Sequence, residues 1–103
     1  MKITKVSETG GFQNPHGIDA RKLMDQPKAQ VVHMMLGPGD SQKKHGTPVD
    51  VFFSVLEGEG VVEIGDERVA AGADTFIESP SHIPHAWHNG SRGIVRFLVV
   101  KLS

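Results

Sequence analysis

The stretch Val51-Phe52-Phe53-Ser54-Val55-Leu56-Glu57-Gly58-Glu59-Gly60-Val61-Val62-Glu63-Ile64-Gly65-Asp66-Glu67-Arg68-Val69-Ala70 holds three apolar runs, broken twice by glycine beside an acidic residue. Val, Ile and Phe crowd the backbone at Cβ and suit a pleated strand, whereas Glu57-Gly58 and Gly65-Asp66 tolerate the positive φ of tight reversals. Strands are therefore predicted over residues 51–56, 60–64 and 67–70. The same grammar continues on both sides. Asp25-Gln26-Pro27, Gly37-Pro38-Gly39-Asp40, Gly72-Ala73-Asp74 and Asn89-Gly90 punctuate further short apolar runs, and these residues preset turn dihedrals. Strands are predicted there at residues 2–6, 19–24, 30–36, 75–78, 85–88 and 94–102. No window reads as an amphipathic helix. About nine short, evenly spaced strands predict an all-β chain folded as a sandwich, jelly roll or barrel.

Residues 51–56 and 94–100 are almost continuously apolar, so both faces of those strands are expected to be covered. One face would line the barrel. The other is expected to meet a second copy of the chain, since a twofold homodimer is the commonest closed assembly, with the chain's own N-terminal segment as the alternative cover. Residues 1–18, with Gly10-Gly11 and Asn14-Pro15, read as an extended arm. The 103 residues suffice for one domain with one core, spanning 1–103. With 11 basic and 12 acidic residues and a formal charge of -1, the chain carries no basic excess of the kind that nucleic-acid or membrane partners leave, and neither partner is expected. Cysteine is absent, which excludes disulfides, thiolate nucleophiles and sulfur-ligated metals. No long apolar stretch follows the N-terminus, so a cytoplasmic location is expected.

Between Gly39 and Asn89 the chain resembles the cupins, whose fold is a double-stranded β-helix, or jelly-roll barrel. The first cupin motif runs Gly, five residues, His, one residue, His, three or four residues, Glu, six residues, Gly. Here Gly39 precedes His45 by that interval and Gly58 closes the motif, but Thr47 replaces the second His and Val51 the Glu, with Asp50 one place earlier. The second motif runs Gly, five residues, Pro, one residue, Gly, two residues, His, three residues, Asn. Pro80, His85 and Asn89 match it, while Gly72 lies two residues too far upstream and His82 replaces the internal Gly.

The resemblance implies a pocket inside the barrel where His45 and His85 face each other from opposing strands and bind a small molecule. It also implies a divalent transition metal (iron, manganese, nickel, copper or zinc), since these accept imidazole and carboxylate ligands. His45 and His85 are the expected ligands. Asp50, turned inward by a bulge near Thr47-Pro48, or His82, three residues before His85, would complete the set. Thr47, Val51, Phe53, His33 and Trp87 are expected to line the pocket. His88 falls on the opposite strand face from His85 and reads as surface or structural, and His16 carries no signal. Three functional classes stay open: a metal-dependent enzyme, a metal-free small-molecule binder, and a dimeric scaffold without catalysis.

Overall fold

A computed structural model describes residues 1–14 and 17–103; the position of His16 lies outside them. Eight strands follow in order: β1 Asp19–Gln26, β2 Ala29–Leu36, β3 Val51–Glu57, β4 Glu59–Ile64, β5 Glu67–Gly72, β6 Phe76–Ser79, β7 His85–His88 and β8 Val95–Leu102. Each lies within a residue or two of its predicted range. The exception is residues 2–6, which form no strand; the described arm holds only a 3-10 turn at Val6–Glu8. A strand exists only where a neighbour completes its ladder, and Ile3 is exposed. The arm is instead pinned at single points. Arg21 Nη1 donates to the Val6 carbonyl at 2.8 Å, and the Phe12 amide donates to the Ala20 carbonyl at 3.0 Å.

The strands form two sheets, one of five strands ordered β1-β2-β8-β3-β6 and one of three ordered β5-β4-β7, all pairs antiparallel. The smaller sheet gains a fragmentary fourth member. The segment after the β2 turn runs beside β7 through two isolated bridges, Ser41 with His88 and His45 with His85. The fold is all-β, as the turn spacing predicts, and a jelly roll, as the cupin resemblance implies. Strand alternation sends Val51, Phe53 and Val55 of β3 and Val95, Phe97 and Val99 of β8 into one core, where they meet Val62, Ala71 and Trp87 of the smaller sheet. Trp87 and Phe97 stack with centroids 4.3 Å apart, and Phe53 meets both edge-on. No described helix is long and apolar enough to cross a membrane.

Two family positions acquire a physical reason. Gly58 closes the β3–β4 turn at φ 81°, and a Cβ there would lie 2.0 Å from the Ile94 carbonyl oxygen; only glycine fits without moving backbone. Asn89, directly after β7, is buried, its Nδ2 reaching the carbonyls of Leu36, Gly37 and Gly93 at 3.0, 3.1 and 2.9 Å. It ties the turn after β2 to the β7–β8 turn at one end of the barrel. Outside the smaller sheet, Glu63 joins His88, Arg68 and Lys44 in an ion-pair network. The hydrogen bond from His88 leads the causes that lower the Glu63 pKa, followed by burial, which opposes it, and then by the charge of Arg68.

Candidate functional site

The site is built by backbone pairing. His45 and His85 exchange both main-chain hydrogen bonds, at 3.0 and 2.9 Å, and Gln42 extends the pairing by donating to the Trp87 carbonyl at 2.8 Å. Residues directly opposite in an antiparallel pair project to the same side, so two histidines 40 positions apart in the chain share one face. Their rings meet edge to face, centroids 4.7 Å apart and planes at 74°. His85 is buried and His45 half-buried.

Neighbours fix both rings. The Nδ1 of His85 lies 3.0 Å from Ser79 Oγ, inside the protein, and its ring stands perpendicular to that of Phe53, with centroids 5.3 Å apart and planes at 86°. The Nδ1 of His45 lies 3.1 Å from the Lys43 carbonyl, a partner that requires a proton on that nitrogen. Histidines that bind metals commonly hold their second nitrogen in this way; ligation would then run through Nε2.

The remaining sequence candidates separate. Val51 and Phe53 are buried in the core beside the pair. Thr47 is half-buried and donates to the Val49 carbonyl at 3.2 Å. Asp50 does not turn inward: it is exposed, and its Oδ1 accepts the Ser81 amide at 2.9 Å. That bond braces the loop into β7 and takes the bulge argument away. His82 is exposed too, at φ 65°, a left-handed conformation that accounts for glycine at this place in the family pattern. Its amide donates to the Thr47 carbonyl at 2.8 Å. Among the described residues no group of three or more His, Asp or Glu side chains converges, so the four-ligand set of His45, His85, Asp50 and His82 does not assemble. Two imidazoles fit two positions of a metal, and a complete protein cage is not formed by the described residues.

His33 requires a correction of facing. Val32 and Leu36 of β2 enter the core, so His33 between them points to the outside of the five-stranded sheet. There Arg96 Nη1 donates to its Nε2 at 2.9 Å. Burial first, then the adjacent Arg96 charge, push the His33 pKa below its ordinary value. Trp87 is fully buried in the core, and its indole nitrogen has no partner among the described residues. Sequence reasoning missed Ser79 and Gln42. Ser79 gains its role only because β6 and β7 come together in space; Gln42, three places before His45 and buried, offers a signal only through that spacing.

One strand over from His85 the barrel opens, and neither histidine lines the opening. Ile64, the cross-strand partner of His85, lines a cleft of about 640 Å³ together with Val62, Val69, Ile77, Pro80 and Ile83.

Comparison with known proteins bears on the family and the fold. A family model described as a cupin domain matches residues 32–101. No curated protein matches the chain. Among solved structures, the TT1209 protein of Thermus thermophilus is 26% identical with a TM-score of 0.85, over 99% of this chain and 97% of that one. A predicted oxalate decarboxylase from Thermotoga maritima is 23% identical with a TM-score of 0.88, over 98% of both chains. The polyketide cyclase RemF from Streptomyces resistomycificus is 24% identical with a TM-score of 0.87, over 99% of this chain and 79% of that one. The last two likenesses carry the fold and no activity.

Proposed function

Because the chain belongs to the cupin domain family, whose model its residues 32–101 match, we propose that it binds or converts a small molecule at the His45–His85 pair, with a divalent transition metal held between the two rings. The observation that carries this reading is the pairing itself: main-chain bonds at 3.0 and 2.9 Å set two imidazoles on one face, and Ile64, the strand partner of His85, lies on the wall of a cleft. Two neutral imidazoles are ordinary ligands for iron, manganese, nickel, copper or zinc. A bound ion would supply Lewis acidity toward an oxygen atom of the small molecule. The protein's own part is to hold both rings, through Ser79 and the Lys43 carbonyl, and to surround them with the apolar walls of Val51 and Phe53.

A second reading, a metal-free binding module, draws on the absence of a third His or carboxylate at the pair among the described residues. The fold cannot choose between them, since one barrel hosts unrelated chemistries. Elemental analysis of protein purified without an affinity tag, repeated on His45→Ala, decides the matter. The expected result is about one transition-metal ion per chain in the parent and a large loss in the variant, because removing one of few ligands weakens the site steeply. Metal at background level in the parent, or metal retained in full by His45→Ala, would overturn the metal-binding reading.

A further inference from the structure

The cleft beside Ile64 has a chemistry of its own. Val62 pairs with Val69, Ile64 with Glu67 and Gly60 with Ala71, and cross-strand partners share a face. Since Val62 and Ala71 belong to the core, Val69 and Glu67 also project inward. Yet Val69 is 54% exposed, and Ile83 across the opening is 40% exposed. Inward-facing apolar side chains that remain wet mark a part of the core that the chain does not fill, and each such surface gains free energy when another apolar body covers it. A space of about 640 Å³ lies within the range of small-molecule pockets.

The rim is acidic. Asp66, Glu67 and Glu78 line the same cleft and are exposed, and none of them forms an ion pair among the described residues. Arg68 pairs with Glu63 at 2.7 Å, and Lys44 divides its ammonium between Glu63 and the Gly65 carbonyl. Three unpaired carboxylates about an apolar mouth lower the local potential and repel anions. The cleft also adjoins the histidine pair. Ile64 is the partner of His85, and Pro80 follows Ser79, which touches the His85 ring.

Taking the His45–His85 pair as the reacting or binding centre, as proposed above, we infer that its ligand is a mostly apolar small molecule without negative charge, whose hydrophobic body lies in this cleft. Small dicarboxylates and other anions are selected against by the rim. A ligand of this class buries Val69, Ile77 and Ile83 and directs one polar end toward the two rings.

Two dyes with one aromatic frame test the inference: neutral N-phenylnaphthylamine and its sulfonated analogue, anilinonaphthalene sulfonate. Their fluorescence is titrated with full-length protein, once after metal removal and once with metal restored. The neutral dye should bind at least about tenfold more tightly than the sulfonate at low salt, a gap of about 1.4 kcal/mol, and added salt should narrow it. The triple variant D66N/E67Q/E78Q should tighten the sulfonate about tenfold and leave the neutral dye unchanged. The double variant V69S/I83S alters two exposed positions; with its circular dichroism unchanged, it should weaken the neutral dye about tenfold. Equal binding of the two dyes by the parent protein overturns the inference, as does a neutral-dye affinity insensitive to V69S/I83S or a sulfonate affinity insensitive to the triple variant. Because the titrations are read without metal as well, their failure is distinct from failure of the metal reading, which elemental analysis detects alone.

Discussion

The two ends of the barrel are made from the same strands and differ in how they are finished. At one end Trp87, Phe97 and Val95 are fully buried and Asn89 ties two turns together over them. At the other, two residues back along β7 from Trp87, His85 meets His45 beside a mouth where inward-facing Val69 stays wet. Moving along one strand from Trp87 to His85 thus crosses from packed interior to chemistry. The difference teaches where each demand falls: the closed end supplies cohesion that the open end gives up to keep space and polar atoms available.

The largest effect should therefore come from the closed end. Phe97 is fully buried against Trp87 and Phe53, and Phe97→Ala should cost roughly 3 to 5 kcal/mol in urea unfolding, the usual range for an emptied aromatic site. Val69→Ala at the mouth should stay within about 0.5 kcal/mol of the parent, as exposed substitutions do. Comparable losses at the two positions would erase the distinction between the ends.

A smaller effect isolates the polar tie from the packing. Asn89→Ala leaves buried carbonyls of Leu36 and neighbouring turns without a donor, which should cost roughly 1 to 3 kcal/mol. Asn89→Asp is the sharper variant, since a carboxylate set against three carbonyl oxygens cannot donate to any of them. It should be at least as damaging as alanine, measured by the same urea midpoints. An aspartate variant as stable as the parent would mean that the turns hold the closed end by themselves.

The strands are legible in the sequence because their punctuation is local. Gly58, Gly65 and Asp66 act on their own dihedrals, and the register of β4 with β5 follows from a short turn. The cupin resemblance leads to His45 and His85 from motif spacing, and the structure brings these two together. What strand parity cannot provide is the state of residues in irregular backbone. Thr47, Asp50 and His82 lie in loops, where alternation has no meaning; the Asp50 carboxylate is taken up by the Ser81 amide, and His82 is exposed at φ 65°. The strand expected at residues 2–6 fails for a related reason: a β-type pattern shows what a segment tolerates, and the partner that completes a strand is remote. The cleft leaves no trace in the sequence, because wet inward residues look there like core residues.

His33 separates burial from position. It is as buried as His85, 2% against 3% exposed, yet it lies on the outer side of β2, paired with Arg21 and bonded to Arg96. Arg96 donates to Nε2, so the ring's proton sits on Nδ1, an atom buried without a partner among the described residues. A second proton would place a cation beside Arg96 and near Arg21, with Asp19 the opposing charge; burial, ahead of Arg96, holds the pKa below 6.5 in the folded chain. Between pH 6.5 and that lower folded value the unfolded chain takes up a proton that the folded one refuses. The contribution is therefore present above about 6.5, the free-histidine value, and is lost as pH falls through the folded pKa. His33→Gln, which keeps an acceptor for Arg96 and cannot titrate, should flatten this part of the stability–pH curve. The effect is the smallest of the three, since linkage acts only over the interval between two pKa values. Parallel curves for parent and variant, measured by urea midpoints from pH 7.5 downward, would show that this buried histidine titrates as a solvated one does.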